Sequence, residues 1–427
     1  MSPSPDDKAL FARLRRALAW ATPGQLDAGF ASLATFITGL VAVRELSTAS
    51  LAAYALLTSA YHLLNQFPGE LVFSPSQIIA VDLPTRERLG ALAHSVPRGA
   101  AIGALSSLAV PAGALLVARE VAGSDLFALS VSATLLATAS PLQDHVRAVL
   151  HMAKASWVAA AMSITNFAAT GLTMLAFSSS VAWTVFGALF VGNVLSLVVG
   201  GIWIARRRTP PATRPPMRHL IWLGGWLLAT GLSKTGIRYG VNALLGMFAG
   251  VAALGYVESA RVVAQPVNVL SQGLMSQVGP QLTLAASRRD HSMSRRWTRR
   301  FVLLLAVVTV PYVVLVATPW ALNPFSVFAA RAYTVPGLVS ATLLVVTASA
   351  VMRSQRLQLL GGRQQQLVAR VTFMTGVLEL ASATTAVAIG PYASPLASGL
   401  AVAISIVWFA TALRRIYSGA PETPPSP

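Results

Sequence analysis

Thr230, Lys234, Arg238 and Asn242 recur every fourth residue inside the apolar run LIWLGGWLLATGLSKTGIRYGVNALLGMF. On a helix that spacing gathers a hydroxyl, an ammonium, a guanidinium and an amide along one side. A lysine or arginine at membrane depth costs about 2.5–3.5 kcal/mol on insertion scales, so it normally faces protein or a water-filled cavity. The chemistry open to this pair is anion capture by charge-assisted hydrogen bonds rather than bond breaking. The next run, VAALGYVESARVVAQPVNVLSQGLMSQVGPQL, adds Glu258, Arg261 and Pro266. Glu258 and Arg261 are three apart on one helix, so they either pair with each other or line the same site. Lys234, Arg238, Asn242 and Arg261 are therefore the candidate substrate-binding residues, and this stretch reads as the wall of an intramembrane site.

A second set of residues could gate or energise such a site. Glu70 follows the Pro68-Gly69 helix break, where it is either a gate acid or a cap for freed backbone groups. Pro266 reads as a hinge or kink. Glu379, near the middle of its span, either balances Lys234 and Arg238 or couples transport to an ion. Asp27 stands near the start of the first span, as a helix N-terminal charge or a coupling acid. Arg147, Arg353 and Arg356 lie at span ends, where they either orient the protein or collect phosphate at the mouth. His62 and His151 are isolated and without ligand partners, and the chain has no cysteine, so no metal site is expected.

These residues must be positioned by a membrane domain. Of the 427 residues, 55% are hydrophobic and 11% charged, against about 25% charged in a soluble globular protein. Apolar runs of spanning length recur about twelve times between Gln25 and Tyr417, with no interval that could house a soluble domain. The net charge of +18 suggests nucleic acid until the positions are examined. With a cytoplasmic N-terminus, Arg44, Arg119 and Arg331 face outward, Lys234, Arg238 and Arg261 lie within spans, and every other Lys or Arg faces inward. That is the positive-inside rule, and no nucleic-acid partner is expected.

Residues 1–20 read as a cytoplasmic amphipathic segment, its helix KALFARLRRALAW lying on the inner surface. Residues 21–204 are then a first lobe of six spans and 220–417 a second. The Pro/Arg-rich stretch 205–219 is a cytoplasmic linker, and 418–427 is a disordered tail. The two halves echo each other: Ala53-Tyr54 precedes a span ending near Ser74-Pro75, as Gly255-Tyr256 precedes one ending near Gly279-Pro280, and Arg147 corresponds to Arg353. Six spans per half make this a parallel repeat about an axis along the membrane normal.

The run Arg44-Glu45-Leu46 with Tyr54 eight residues on, the segment LGYVESARVVAQPVNVLSQGLMSQVGPQL and the turn PLQDHVRAVLHMAKASW resemble the O-antigen-type polysaccharide flippase branch of the multidrug/oligosaccharidyl-lipid/polysaccharide (MOP) exporter superfamily. Leu51-Ala52 stands where that family commonly has an aromatic-Gly pair. The resemblance implies an all-α, MATE-like polytopic fold of about twelve transmembrane helices in two pseudo-symmetric six-helix lobes. It implies alternating-access transport of a polyprenyl-diphosphate-linked saccharide across a bacterial inner membrane, both termini being cytoplasmic. The partners implied are a lipid-linked oligosaccharide and membrane lipids, with a monomer assumed. No cofactor is expected, and a proton or a sodium gradient is the coupling source to be distinguished. A multidrug/cation antiporter of the same fold is the alternative, but it would line its cavity with carboxylates rather than Lys234 and Arg238. A membrane enzyme of polysaccharide assembly would need catalytic groups on a sizeable outward loop. The longest outward connection, Thr318 to about Val335, has neither acid nor histidine.

Overall fold

The structure is a computed structural model that describes residues 23–80, 83–207 and 216–418. The amphipathic segment 1–20 and nearly all of the tail 418–427 lie outside the described residues, as does most of the linker 205–219. The described chain is helical, and its long helices are numbered here in order. They are α1 Pro23–Glu45, α2 Thr48–Leu64, α3 Thr85–Ser107, α4 Gly123–Met152, α5 Ser156–Ala176 and α6 Val181–Ala205 in the first half. In the second half they are α7 Met217–Leu244, α8 Val251–Ser287, α9 His291–Val316, α10 Leu338–Gly361, α11 Gln365–Ala386 and α12 Ala393–Tyr417.

Ser47 caps α2 by accepting from the Ser50 amide at 3.0 Å, and Asp290 caps α9 by accepting from the Met293 amide at 2.9 Å. The Pro68-Gly69 interruption takes the form of a π-turn. α2 continues through Gln66–Pro68, a π-helical Gly69–Phe73 and then Ser74–Ala80. A π-turn lets the chain pass Pro68 without leaving the helix axis. At the other end of α7 a second π-turn, Leu245–Ala249, runs into Gly250, whose φ of 88° only glycine adopts without strain. α8 is 37 residues long, about 55 Å of helix against a hydrocarbon core of about 30 Å. It runs through Pro266 as one continuous helix.

The fold is an all-α membrane bundle of two six-helix lobes. In the first, α6 packs between α4 and α5, and α1 covers α5 and α6; in the second, α10 packs against α8 and α12, and α11 joins α12 to α7. The lobes meet where α1 and α2 touch α8 and where α2 touches α7. Small residues permit close approach there. A Cβ on Gly224 of α7 would collide with the Glu70 carbonyl and the Leu71 backbone.

Among the described residues most basic side chains fall at the helix ends that share one end of the bundle, the basic end, such as Arg147 of α4, Arg353 and Arg356 of α10 and Arg414 of α12. At the opposite end both lobes contribute to one buried apolar cluster, including Leu46, Leu51 and Val117 from the first and Val316, Ala332 and Leu338 from the second. The connection after α9 folds over this end as Phe325–Phe328 and Ala330–Tyr333. Arg331 Nη1 donates to the Leu46 carbonyl at 2.6 Å, Arg44 sits 5.8 Å over the Phe328 ring, and Phe36 meets Phe325 edge-on. The end opposite the basic end is therefore closed.

Eight stretches of the described chain are long and apolar enough to cross a membrane by length and composition, the last containing both α11 and α12. The long helices outside those stretches are α2, α7 and α8. These three meet at the lobe interface, where a helix can carry polar groups because it is shielded from lipid.

Candidate functional site

Between the lobes lies a cavity of about 720 Å³. Tyr54, Thr58 and Glu258 line it beneath the apolar seal, and Asp144, Arg147 and Arg353 line it toward the basic ends of α4 and α10. The acids lining it, Glu258 and Asp144, and Asp27 beside it are largely committed. Glu258 is buried and takes a hydrogen bond from the Arg261 guanidinium, so the three-residue spacing does form an ion pair. Asp27, with a side chain only 5% exposed, accepts from Arg147 Nε at 2.9 Å and Nη2 at 2.8 Å. It also takes a hydrogen bond from the Ser163 hydroxyl at 2.5 Å and lies 2.9 Å from His151 Nε2. Arg147 then reaches Asp144 at 3.3 Å.

This network differs from the expectations for three of its members. His151 is not isolated, because its ring links Asp27 to Ser156, with Nδ1 3.0 Å from the Ser156 hydroxyl. Arg147 stands near the mouth, but its donors are turned to two acids, which buried guanidinium and carboxylate groups demand of each other. Asp27 is likewise a buried partner of Arg147 rather than a charge spent on the α1 N-terminus.

The cations of the second lobe are differently placed. Arg238 lines the cavity and makes no hydrogen bond or ion pair among the described residues; Glu258 and Glu379 are its electrostatic neighbours. Lys234, one turn nearer the basic end, is not among the residues lining the cavity; it makes no hydrogen bond or ion pair among the described residues and lies within the field of Arg356, Arg353 and Arg238. Arg353 donates to the Ser271 hydroxyl at 2.9 Å and to Asn268 Oδ1 at 2.5 Å, both neutral partners on α8. Arg356 has a buried Nε with no partner among the described residues. α7 and α10 thus bring four cations together with no carboxylate in ion-pair contact among the described residues.

The other sequence candidates fall as follows. Asn242 is buried and donates to Ser59 Oγ of α2 at 2.8 Å, joining the lobes rather than lining the cavity. Glu379 accepts from the Ser398 hydroxyl at 2.5 Å and makes no ion pair with Lys234 or Arg238. Glu70 lies in the π-turn of α2 beside Gly224. Pro266 follows the cavity-lining Gln265 on α8 and is not itself among the lining residues. Sequence reasoning missed the polar cavity residues Gln143, Asn166, Asn193, Asn268 and Gln272, whose amides suit sugar hydroxyls and phosphate oxygens alike. It also missed Ser271, and isolated Ser, Asn and Gln on long apolar helices carry no spacing signal. Among the described residues no group of three or more His, Asp or Glu is arranged to hold a metal ion.

An anion entering this cavity meets the Arg238 and Arg353 guanidinium groups, neither in ion-pair contact with a carboxylate among the described residues, and both suited to charge-assisted hydrogen bonds. A cationic ligand would meet only acids already paired.

Comparison with known proteins bears on the family and the fold. The profile of a family described as "Polysaccharide biosynthesis protein" matches residues 101–321. No curated protein matched the chain. Among solved structures, an inward-facing multidrug resistance MATE family transporter of the MOP superfamily aligns with a TM-score of 0.67 at 14% identity, covering 93% of this chain and 96% of its own. A MATE protein in complex with MaD3S gives 0.62 at 15% identity over 92% and 95%. A MOP superfamily transporter from Pyrococcus furiosus, described as having a binding pocket of reverse polarity, gives 0.60 at 14% identity over 92% and 94%. At these identities the likeness is one of fold.

Proposed function

The chain belongs to the polysaccharide biosynthesis protein family, and on that premise we propose that it flips a polyprenyl-diphosphate-linked saccharide across the bacterial inner membrane by alternating access. The basic end is cytoplasmic and receives the substrate. The lobes, 21–204 and 220–417, rock about the cavity while the far seal opens and closes. Lys234 and Arg238 bind the diphosphate, Arg353 and Arg356 draw it in, and the cavity amides accept the first sugars. The protein acts as a monomer, coupled to a proton or sodium gradient, and performs no covalent chemistry.

The observation that supports this reading above all others is the set of cations without carboxylate partners on α7 and α10. Two negative charges on a diphosphate match Lys234 and Arg238, one helical turn apart. The same feature argues against a multidrug antiporter despite the shared fold, since a cationic drug would be repelled from the surface that a diphosphate seeks.

The test is glycan export in a host whose own flippase is deleted. Charge reversal at Lys234 or Arg238 abolishes export while the protein still inserts, and Lys234→Arg retains more export than Lys234→Gln. Normal export by the Lys234→Gln/Arg238→Gln double variant would put the anion site elsewhere.

A further inference from the structure

A second, larger cleft opens at the basic end, outside the lobe interface. It has a volume of about 1610 Å³ and lies between α9, α10 and α12. Arg295, Arg296, Arg299 and Arg300 of α9 and Arg414 of α12 line it, and no acid does. The nearest carboxylate in sequence, Asp290, is taken up by the Met293 amide and the Ser292 hydroxyl at the α9 N-terminus. Among the described residues none of these five arginines forms an ion pair, and Arg300 stacks on Trp297 at 4.9 Å. Orientation by positive charge accounts for arginines at this end of the molecule. It does not account for five of them around one concavity, where a bound counter-anion would relieve their mutual repulsion.

The cleft is also built. Its floor is Gln358, 3% exposed, which holds three helices together. Gln358 Oε1 accepts from Ser294 Oγ of α9 at 2.6 Å and from the Tyr417 hydroxyl of α12 at 3.3 Å, and its Nε2 donates to Thr298 Oγ1 at 3.1 Å. Beside it, Gln355 Oε1 is buried with no partner among the described residues. One turn up α9 the lining turns apolar, with Val302 and Leu303 at 39% and 52% exposure. From there the outer face of α9 continues as Leu304, Val307 and Val308, also exposed. A ligand filling this cleft meets arginines at headgroup level and hydrocarbon directly above.

We propose that the α9–α10–α12 cleft is a binding site for an anionic phospholipid of the leaflet at the basic end, its phosphate held by Arg295, Arg299 and Arg414 and its acyl chains lying along Val302 and Leu303. A free phosphate would use the arginines but leave the apolar wall uncovered. A zwitterionic lipid would use the wall but bring its own cation among the arginines. The occupant that satisfies both is a lipid with net negative charge. The site lies apart from the central cavity, and its occupant is independent of what that cavity carries.

The test is lipid retention by the full-length protein, with no transport step in the readout. The protein is reconstituted in equal amounts of phosphatidylglycerol and phosphatidylcholine and moved into detergent, and retained lipid is counted by native mass spectrometry. Wild type keeps phosphatidylglycerol in preference. The Arg295→Gln/Arg299→Gln/Arg414→Gln variant keeps at least about tenfold less, each basic residue near the surface being worth about 1 kcal/mol toward anionic lipid. A control of equal charge at the same end but outside the cleft, Arg206→Gln/Arg363→Gln/Arg370→Gln, retains it as wild type does. Equal loss in the control would reduce the effect to diffuse charge, and displacement of the lipid by millimolar inorganic phosphate would make the site one for a free anion. Should the cleft variant fail to fold, the wild-type comparison decides alone, since equal retention of the two lipids overturns the proposal.

Discussion

Asp27 holds two of its four polar contacts through one guanidinium, and the nearest substitute partner for Arg147 is Asp144 at 3.3 Å. Breaking a buried pair by neutralising one partner typically costs about 3–5 kcal/mol. Asp27→Asn and Arg147→Gln are therefore expected to lower the melting temperature in detergent, and their double variant to lose about 1–3 kcal/mol less than the sum of the two. If Asp27→Asn melts like wild type while transport loses its dependence on a gradient, Asp27 is instead the coupling acid. Little of this network was legible in the sequence, because Asp27 lies 120 residues from Arg147 and no local spacing connects them. The Glu258–Arg261 pair was legible, because three residues on one helix bring side chains together whatever the tertiary fold. Asn242 shows the limit of the same rule. Each four-residue step advances about 40° around a helix, so by Asn242 the stripe has turned about 80° away from Lys234 and toward α2.

The helices themselves were readable from apolar run length, and even the interruption of α2 was announced by Pro68-Gly69. Its π-turn was not, since the form of a break depends on what packs against it, here Gly224 of α7. Gly224→Ala places a methyl group against the Glu70 carbonyl and Leu71 and should destabilise by about 1–3 kcal/mol, read as a drop in melting temperature. A change at the exposed neighbour Gly225, where a Cβ meets open space, should leave stability nearly unaltered. Pro266 belongs to the same scale. It removes one backbone hydrogen bond from α8 in the membrane interior. Pro266→Ala is expected to slow transport while leaving expression and melting temperature at or above wild type, and unchanged transport would argue against a hinge at that position.

At the level of the whole molecule, closure depends on the end opposite the basic end, where Arg331 holds the Leu46 carbonyl and Arg44 covers Phe328. Arg331→Ala removes the polar tie but not the apolar cluster beneath it, so the far end should open more often without unfolding. With no native cysteine, single cysteines can report both this and the orientation. Leu322→Cys should label from outside intact cells and Arg363→Cys only after permeabilisation, and a cysteine at Thr58 in the cavity should gain outside labelling when Arg331→Ala is added. The account as a whole rests on the cavity taking an anion with two charges, and binding to the purified protein tests that most directly. A polyprenyl-diphosphate saccharide should bind at least about tenfold tighter than its monophosphate counterpart, the loss of one charge-assisted contact, and Lys234→Gln/Arg238→Gln should erase the difference. Equal affinity for the two lipids, or preferred binding of a cationic drug that Lys234→Gln/Arg238→Gln strengthens, would contradict it.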